Sequence, residues 1–185
     1  MSLTFAKAAR VDFGFRAAKT RVFVAALLAG MAVSGVAAGQ AEPQLLGTFN
    51  DWTAWSYMDG RNKVCYVSST PQDKQPRNVN RGEIYATVAH KSGVRDEVSF
   101  VNGYAFEANN VVQVMIDATE FKLFTKDDTA WAYTKDDDAK LARAMAAGNK
   151  MTVKGKSSRG TETTDTYSLS GFTAAKAAID KACPR

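Results

Sequence analysis

Downstream of Phe49 the chain is dominated by short segments in which apolar and polar residues alternate with period two. That period places successive side chains on opposite faces of a strand. In residues 51–58 (DWTAWSYM), Trp52, Ala54 and Met58 share one face, and Thr53, Trp55 and Tyr57 share the other. Asp59-Gly60 marks a hairpin into a second strand at 63–69. Residues 71–80 are polar, contain two prolines and read as an exposed loop. Residues 83–90 alternate again, with Ile84, Ala86 and Val88 together, and Ser92-Gly93 turns the chain into a strand at 97–101. Asn102-Gly103 is a further turn. Segments at 111–117, 121–124, 130–133, 151–155 and 161–169 complete about nine expected strands. Close, regular spacing of strands favours a β-sandwich or barrel over alternating β/α units.

Two segments change period. Residues 136–148 open with Asp136, Asp137 and Asp138, which suit the positive end of a helix and its free N–H groups. Leu141, Ala144 and Met145 form the apolar stripe, and Gly148 is placed to end the helix. Residues 173–183 read as a second helix capped by Thr173. Ala175, Ala178, Ile179, Ala182 and Cys183 fall on one face. The expected class is thus mainly β, with a short helix near 136–147 and a carboxy-terminal helix near 173–183.

The start of the chain carries a different signal. A basic stretch is followed by a largely apolar run from Val22 to Val36, shorter than the ~20 residues that span a bilayer. Small residues at 37–41 follow. This is the layout of a secretory signal peptide over 1–41, with cleavage after a residue between Ala38 and Ala41. Residues 42–185 then form a single domain with no membrane span of its own. The alternative is an uncleaved anchor.

Charge supports that division. The net charge is +5, but residues 1–41 hold five Lys or Arg against Asp12 alone, and the remainder is nearly balanced. A nucleic-acid-binding protein concentrates positive charge on its folded part, so no nucleic-acid partner is expected. The two cysteines, Cys65 and Cys183, form an even number in an exported chain and suggest one disulfide; a pair of buried thiols is the alternative.

No catalytic constellation emerges. His90, the single histidine, stands at a strand end without a GxSxG motif and reads as a surface residue. The acidic groups at 127–128 and 136–138 lack the alternation of a calcium loop, and no metal or cofactor is expected. Trp52, Trp55, Tyr57 and Trp131 offer a carbohydrate or peptide platform, though Trp52 and Trp55 face opposite ways and one of them belongs in the core. The basic stretch 154–163, with Arg159, reads as a solvated hairpin that could also grip an anion, and Arg81 before a strand carries the same ambiguity. Trp55, Arg81 and Arg159 are the candidate binding residues.

The order DWTAWS, VCYVSS, RGEIYATVAH, EVSF-VNGYAF, FKLF, DDTAWA and the run from 148 to 183 (G-x-x-M-x-V, SSRGT, D-x-YSL-x-GF-x-A, C) resembles the invasion-associated locus B family of exported bacterial proteins. The resemblance implies an immunoglobulin-like β-sandwich, a periplasmic or outer-envelope location, the Cys65–Cys183 pair and the Arg159-Gly160-Thr161 turn as a signature. It brings no catalytic residues. The expected activity is noncatalytic interaction with an envelope or host protein. An envelope hydrolase using carboxylates and a carrier of small hydrophobic ligands are the alternatives.

Overall fold

Each alternating segment pairs first with its neighbour in sequence, because short turns between strands force antiparallel hairpins. In the computed structural model, which describes residues 42–184, the strands are β1 (Gln44–Phe49), β2 (Trp52–Asp59), β3 (Asn62–Ser69), β4 (Asp73–Gln75), β5 (Tyr85–Lys91), β6 (Val94–Val101), β7 (Val111–Ile116), β8 (Thr119–Lys126), β9 (Thr129–Trp131), β10 (Lys150–Lys156) and β11 (Glu162–Ser168). The helices are α1 (Lys135–Ala147) and α2 (Phe172–Ala182). The signal-peptide expectation lies outside the described residues. Among those residues, no helix is long and apolar enough to cross a membrane.

All eleven strands belong to one antiparallel sheet in the order β1-β2-β3-β5-β6-β9-β8-β7-β10-β11-β4. Trp52 on β2 and Ser168 on β11 stand eight places apart in that order. Even so, the Trp52 indole N–H donates to the Ser168 carbonyl at 3.0 Å. Phe100 on β6 and Tyr167 on β11 meet edge to face at 6.4 Å. The sheet therefore curls over into two packed layers, the β-sandwich that the alternation predicts. Ala54, Val67, Val88, Val98, Val114 and Val153 fill the space between them.

Two strands escape the sequence pattern. β1 has weak alternation and is interrupted by Gly47. β4 lies inside the expected loop at 71–80 and pairs through Lys74 with Asp165. A three-residue edge strand is held by backbone bonds and needs no β-branched pattern to form.

The helix caps also differ from expectation. Thr134, not an aspartate, caps α1: its hydroxyl accepts from the Asp137 N–H at 3.1 Å and donates to the Asp137 carboxylate at 2.8 Å. Asp138 turns inward and accepts from the Val98 N–H at 2.8 Å. Its burial pushes its carboxyl above the usual carboxylate value, an effect the Val98 bond opposes. At α2 the cap position is Gly171 in the left-handed region (φ 89°), and Thr173 instead donates to the Ala146 carbonyl of α1. A Cβ on Gly171 would collide with the Phe49 carbonyl, so only glycine lets the start of α2 approach the β1–β2 turn. Met58, which shares a face with Trp52 and Ala54, is exposed at the end of β2, beyond the reach of the core.

α2 is fastened at both ends. Near its start Phe172 packs edge to face on Trp52 at 4.9 Å. At its end Cys183 is bonded to Cys65 of β3, with a Cα–Cα distance of 6.0 Å and a sequence separation of 118. Between these points a polar cluster forms. His90, expected at the surface, is buried beneath α2. The register that pairs His90 with Cys65 puts both side chains on the covered face. A bulge opposite His90 holds Asp96 at φ 56°, and the Asp96 N–H donates to His90 Nδ1 at 3.2 Å. His90 Nε2 therefore donates to Asp180 at 2.8 Å. Arg95 also donates to Asp180, at 2.7 Å, and to the Cys183 carbonyl at 2.7 Å.

Closing a loop of 118 residues stabilises a fold by about 5 kcal/mol in the chain-entropy account. Cys183→Ser should accordingly lower the melting temperature without reductant, and the two proteins should melt alike once reductant is present. Gly171→Ala should cost more than about 2 kcal/mol in chemical denaturation, since left-handed strain adds to the collision with Phe49. Burial alone pushes the Asp180 carboxyl up, but hydrogen bonds from Lys176 and His90 and the charge of Lys176 outweigh it and hold the group below its ordinary value. Its contribution is thus fully present above about pH 3.9 and is lost as pH falls through the lower folded value. Urea midpoints measured across that window should fall less steeply for Asp180→Asn than for the parent.

Candidate functional site

A strand layer covered on one side leaves its other face to be accounted for. In β2, β3, β5, β6 and β9 the inner positions are taken by the core and by α2. The outer positions line an open groove of about 740 Å³. The register builds it in rows that cross the strands. Thr53 pairs with Ser68, Ser68 with Thr87, Thr87 with Ser99, and Ser99 with Trp131. The result is a floor of four small hydroxyl side chains that ends at an indole. The Thr87 and Ser99 hydroxyls are hydrogen-bonded at 2.7 Å.

Aromatic side chains wall this floor. Trp55 and Tyr66 are paired on one side, and Tyr57 follows Trp55 on the same face, its ring 6.0 Å from that of Tyr66 in edge contact. Tyr85 stands on the other side, paired with Val101. Burial, then the neighbouring phenols of Tyr57 and Tyr85, push the Tyr66 hydroxyl above its ordinary value, so it remains a neutral donor at physiological pH. The charged residues of the lining are few. Lys91 and Glu97 form an ion pair with each other, and Lys91 Nζ lies 5.8 Å over the Trp131 ring. Asp51 stands at the rim.

Of the three residues singled out in the sequence, only Trp55 enters this groove. Arg81 and Arg159 line a separate recess of about 280 Å³ with Tyr104, Ser157, Thr161 and Thr163. Arg159 is exposed at the tip of the β10–β11 hairpin. The guanidinium of Arg81 is consumed inside the protein. It grips both oxygens of the fully buried Asp165 at 2.7 and 2.6 Å and donates twice to the Asn102 carbonyl at 3.0 and 2.7 Å. With its side chain only 6% exposed, Arg81 is a tie between the layers. Breaking such a tie strands a buried carboxylate.

The remaining titratable cluster is likewise committed to structure. His90, Asp96 and Asp180 converge closely enough to resemble a metal centre. Lys176 sits 3.0 Å from both carboxylates and Arg95 2.7 Å from Asp180, so cations of the protein already neutralise them. Both His90 nitrogens are engaged, which leaves neither to take a proton from a nucleophile.

Trp131 and Tyr57 were legible as possible platform residues, whereas Tyr66, Tyr85 and the hydroxyl floor were not. Their signal is that most outward positions of β2, β3 and β5 are hydroxylated or aromatic. That becomes a surface only when the register aligns them.

The Invasion associated locus B (IalB) protein family matches the chain over residues 52–180. The crystal structure of invasion associated protein B from Bartonella henselae has a similar fold, with a TM-score of 0.55, at 13% sequence identity, covering 77% of this chain and 99% of that chain. At that identity the likeness establishes the fold. No curated protein sequence matches the chain. By its extended match to the family pattern and by its sandwich, the chain belongs to the invasion-associated locus B family.

Proposed function

We propose that this protein is exported, sheds its leader after a residue between Ala38 and Ala41, and acts in the cell envelope by noncatalytic recognition. The observation that carries this reading is the groove over β2, β3, β5, β6 and β9. It is the face on which partly exposed aromatic rings gather with hydroxyls turned outward. The ionisable clusters, by contrast, are spent on holding the fold together. The disulfide between Cys65 and Cys183 supports export, because such bonds persist in oxidising compartments. Recognition requires a rigid platform, and mid-sheet strands provide one more firmly than loops do. The partner is an envelope or host-surface component, and Trp55 is its main anchor, as a large aromatic in a half-sheltered position.

Photo-crosslinking in cells tests this reading. A benzophenone side chain at position 55 or 85 should give adducts in the envelope fraction. The same group at Arg143, on the exposed side of α1, should not. The mature protein recovered there should begin between residues 39 and 42. Adducts from position 143 alone, or a cytosolic protein that keeps residues 1–41, would count decisively against the proposal.

A further inference from the structure

We infer that the groove binds a neutral oligosaccharide chain laid across the strands. This rests on the groove being the recognition surface, and it names the chemistry of the occupant. The floor runs through four hydroxyl residues, Thr53, Ser68, Thr87 and Ser99, one on each successive strand, and reaches Trp131 on the fifth. At the usual strand spacing that row is about 19 Å long. Trp55 and Tyr85 stand two residues away on opposite sides of it, about 7 Å from the row in each direction. The shape is a trough with a polar bottom and aromatic banks.

Three other occupants fit less well. A polyanion needs unpaired cations, and the lysine in the lining is already paired with Glu97. An extended peptide that adds a strand needs free backbone groups. The floor strands are each hydrogen-bonded on both sides, β2 between β1 and β3, and β9 between β6 and β8. An acyl chain would bury the hydroxyl row without partners, which carries a desolvation cost. A neutral sugar chain meets every feature at once. Its hydroxyls exchange hydrogen bonds with the floor and with the neutral Tyr66 phenol. The C–H faces of its rings lie against the aromatic banks, and it asks for no net charge.

The three tryptophans make the test direct. Trp52 is sealed in the core, whereas Trp55 and Trp131 line the groove. Titration of the disulfide-bonded mature protein with neutral hexose and N-acetylhexosamine oligosaccharides should give a saturable change in tryptophan fluorescence. Calorimetry should give the same affinity. Trp55→Ala should weaken binding about 10-fold, as loss of a central aromatic anchor does. Thr87→Val keeps the shape and removes one floor hydroxyl together with its bond to Ser99, so it should weaken binding with only a small drop in melting temperature and a retained cooperative transition, which guards against misfolding of the first variant. Absence of saturable binding up to millimolar sugar would overturn the inference, and so would binding that Trp55→Ala and Thr87→Val leave intact. If sugars fail while groove crosslinks in the envelope persist, the recognition reading stands and the partner is a protein.

Discussion

A β-strand has two faces, and a single core can bury only one of them. That constraint organises this protein. Along β2, β3, β5 and β6 the inner positions are closed by the opposite layer, by Phe172 and Ile179 of α2, and by the Cys65–Cys183 bond. With the inner face so fully occupied, the outer face is free of structural duty. Residues there could be chosen for what they offer solvent. The groove and the core are therefore two readings of the same alternation, displaced by one residue. A slip of one position in the register of β3 would bury Tyr66 and Ser68 and expel Cys65, losing the floor and the disulfide together.

The fastening of α2 serves the same end. Phe172, Asp180 and Cys183 attach it near its start, in its last turn and at its end. All three attachments meet strands whose opposite side builds the groove. The polar cluster under the helix also gives His90 a structural role. At the bulge in β6 the ladder is interrupted, and the imidazole accepts the Asp96 N–H that would otherwise lack a partner. The charges around it balance, so a polar layer can sit between helix and sheet without a stranded ion.

Much of the fold was legible from period alone. Strands with strong alternation, such as β5 and β7, were read because β-branched and apolar residues recur every second position. The Cys65–Cys183 pair was likewise readable. What escaped has a physical cause in each case. β4 is an edge strand held by its backbone, so its side chains carry no pattern. The cap of α2 is set by the close approach of Gly171 to Phe49, a contact across more than a hundred residues. His90 and Arg81 looked exposed because polar residues near strand ends usually are. Their burial depends on Asp180 and Asp165, partners that only the tertiary fold delivers. Of the groove, Trp55 was visible as an aromatic, but the hydroxyl row exists only once four strands are in register.

This division of labour bears on how a family can hold one architecture at low identity. The Bartonella henselae protein keeps the sandwich with 13% identity over nearly all of its length. The fold of the present chain requires apolar volume at inner positions, a glycine at 171 and paired charges where layers meet, and many sequences satisfy those demands. The outer positions of β2, β3, β5 and β6 carry no such obligation. Changing Thr87 or Trp55 changes the chemistry of that outward face and leaves the apolar volume between the layers as it is. On the proposed reading fold and specificity are written on opposite faces of the same strands, and sandwich likeness alone carries no specificity from one member to another.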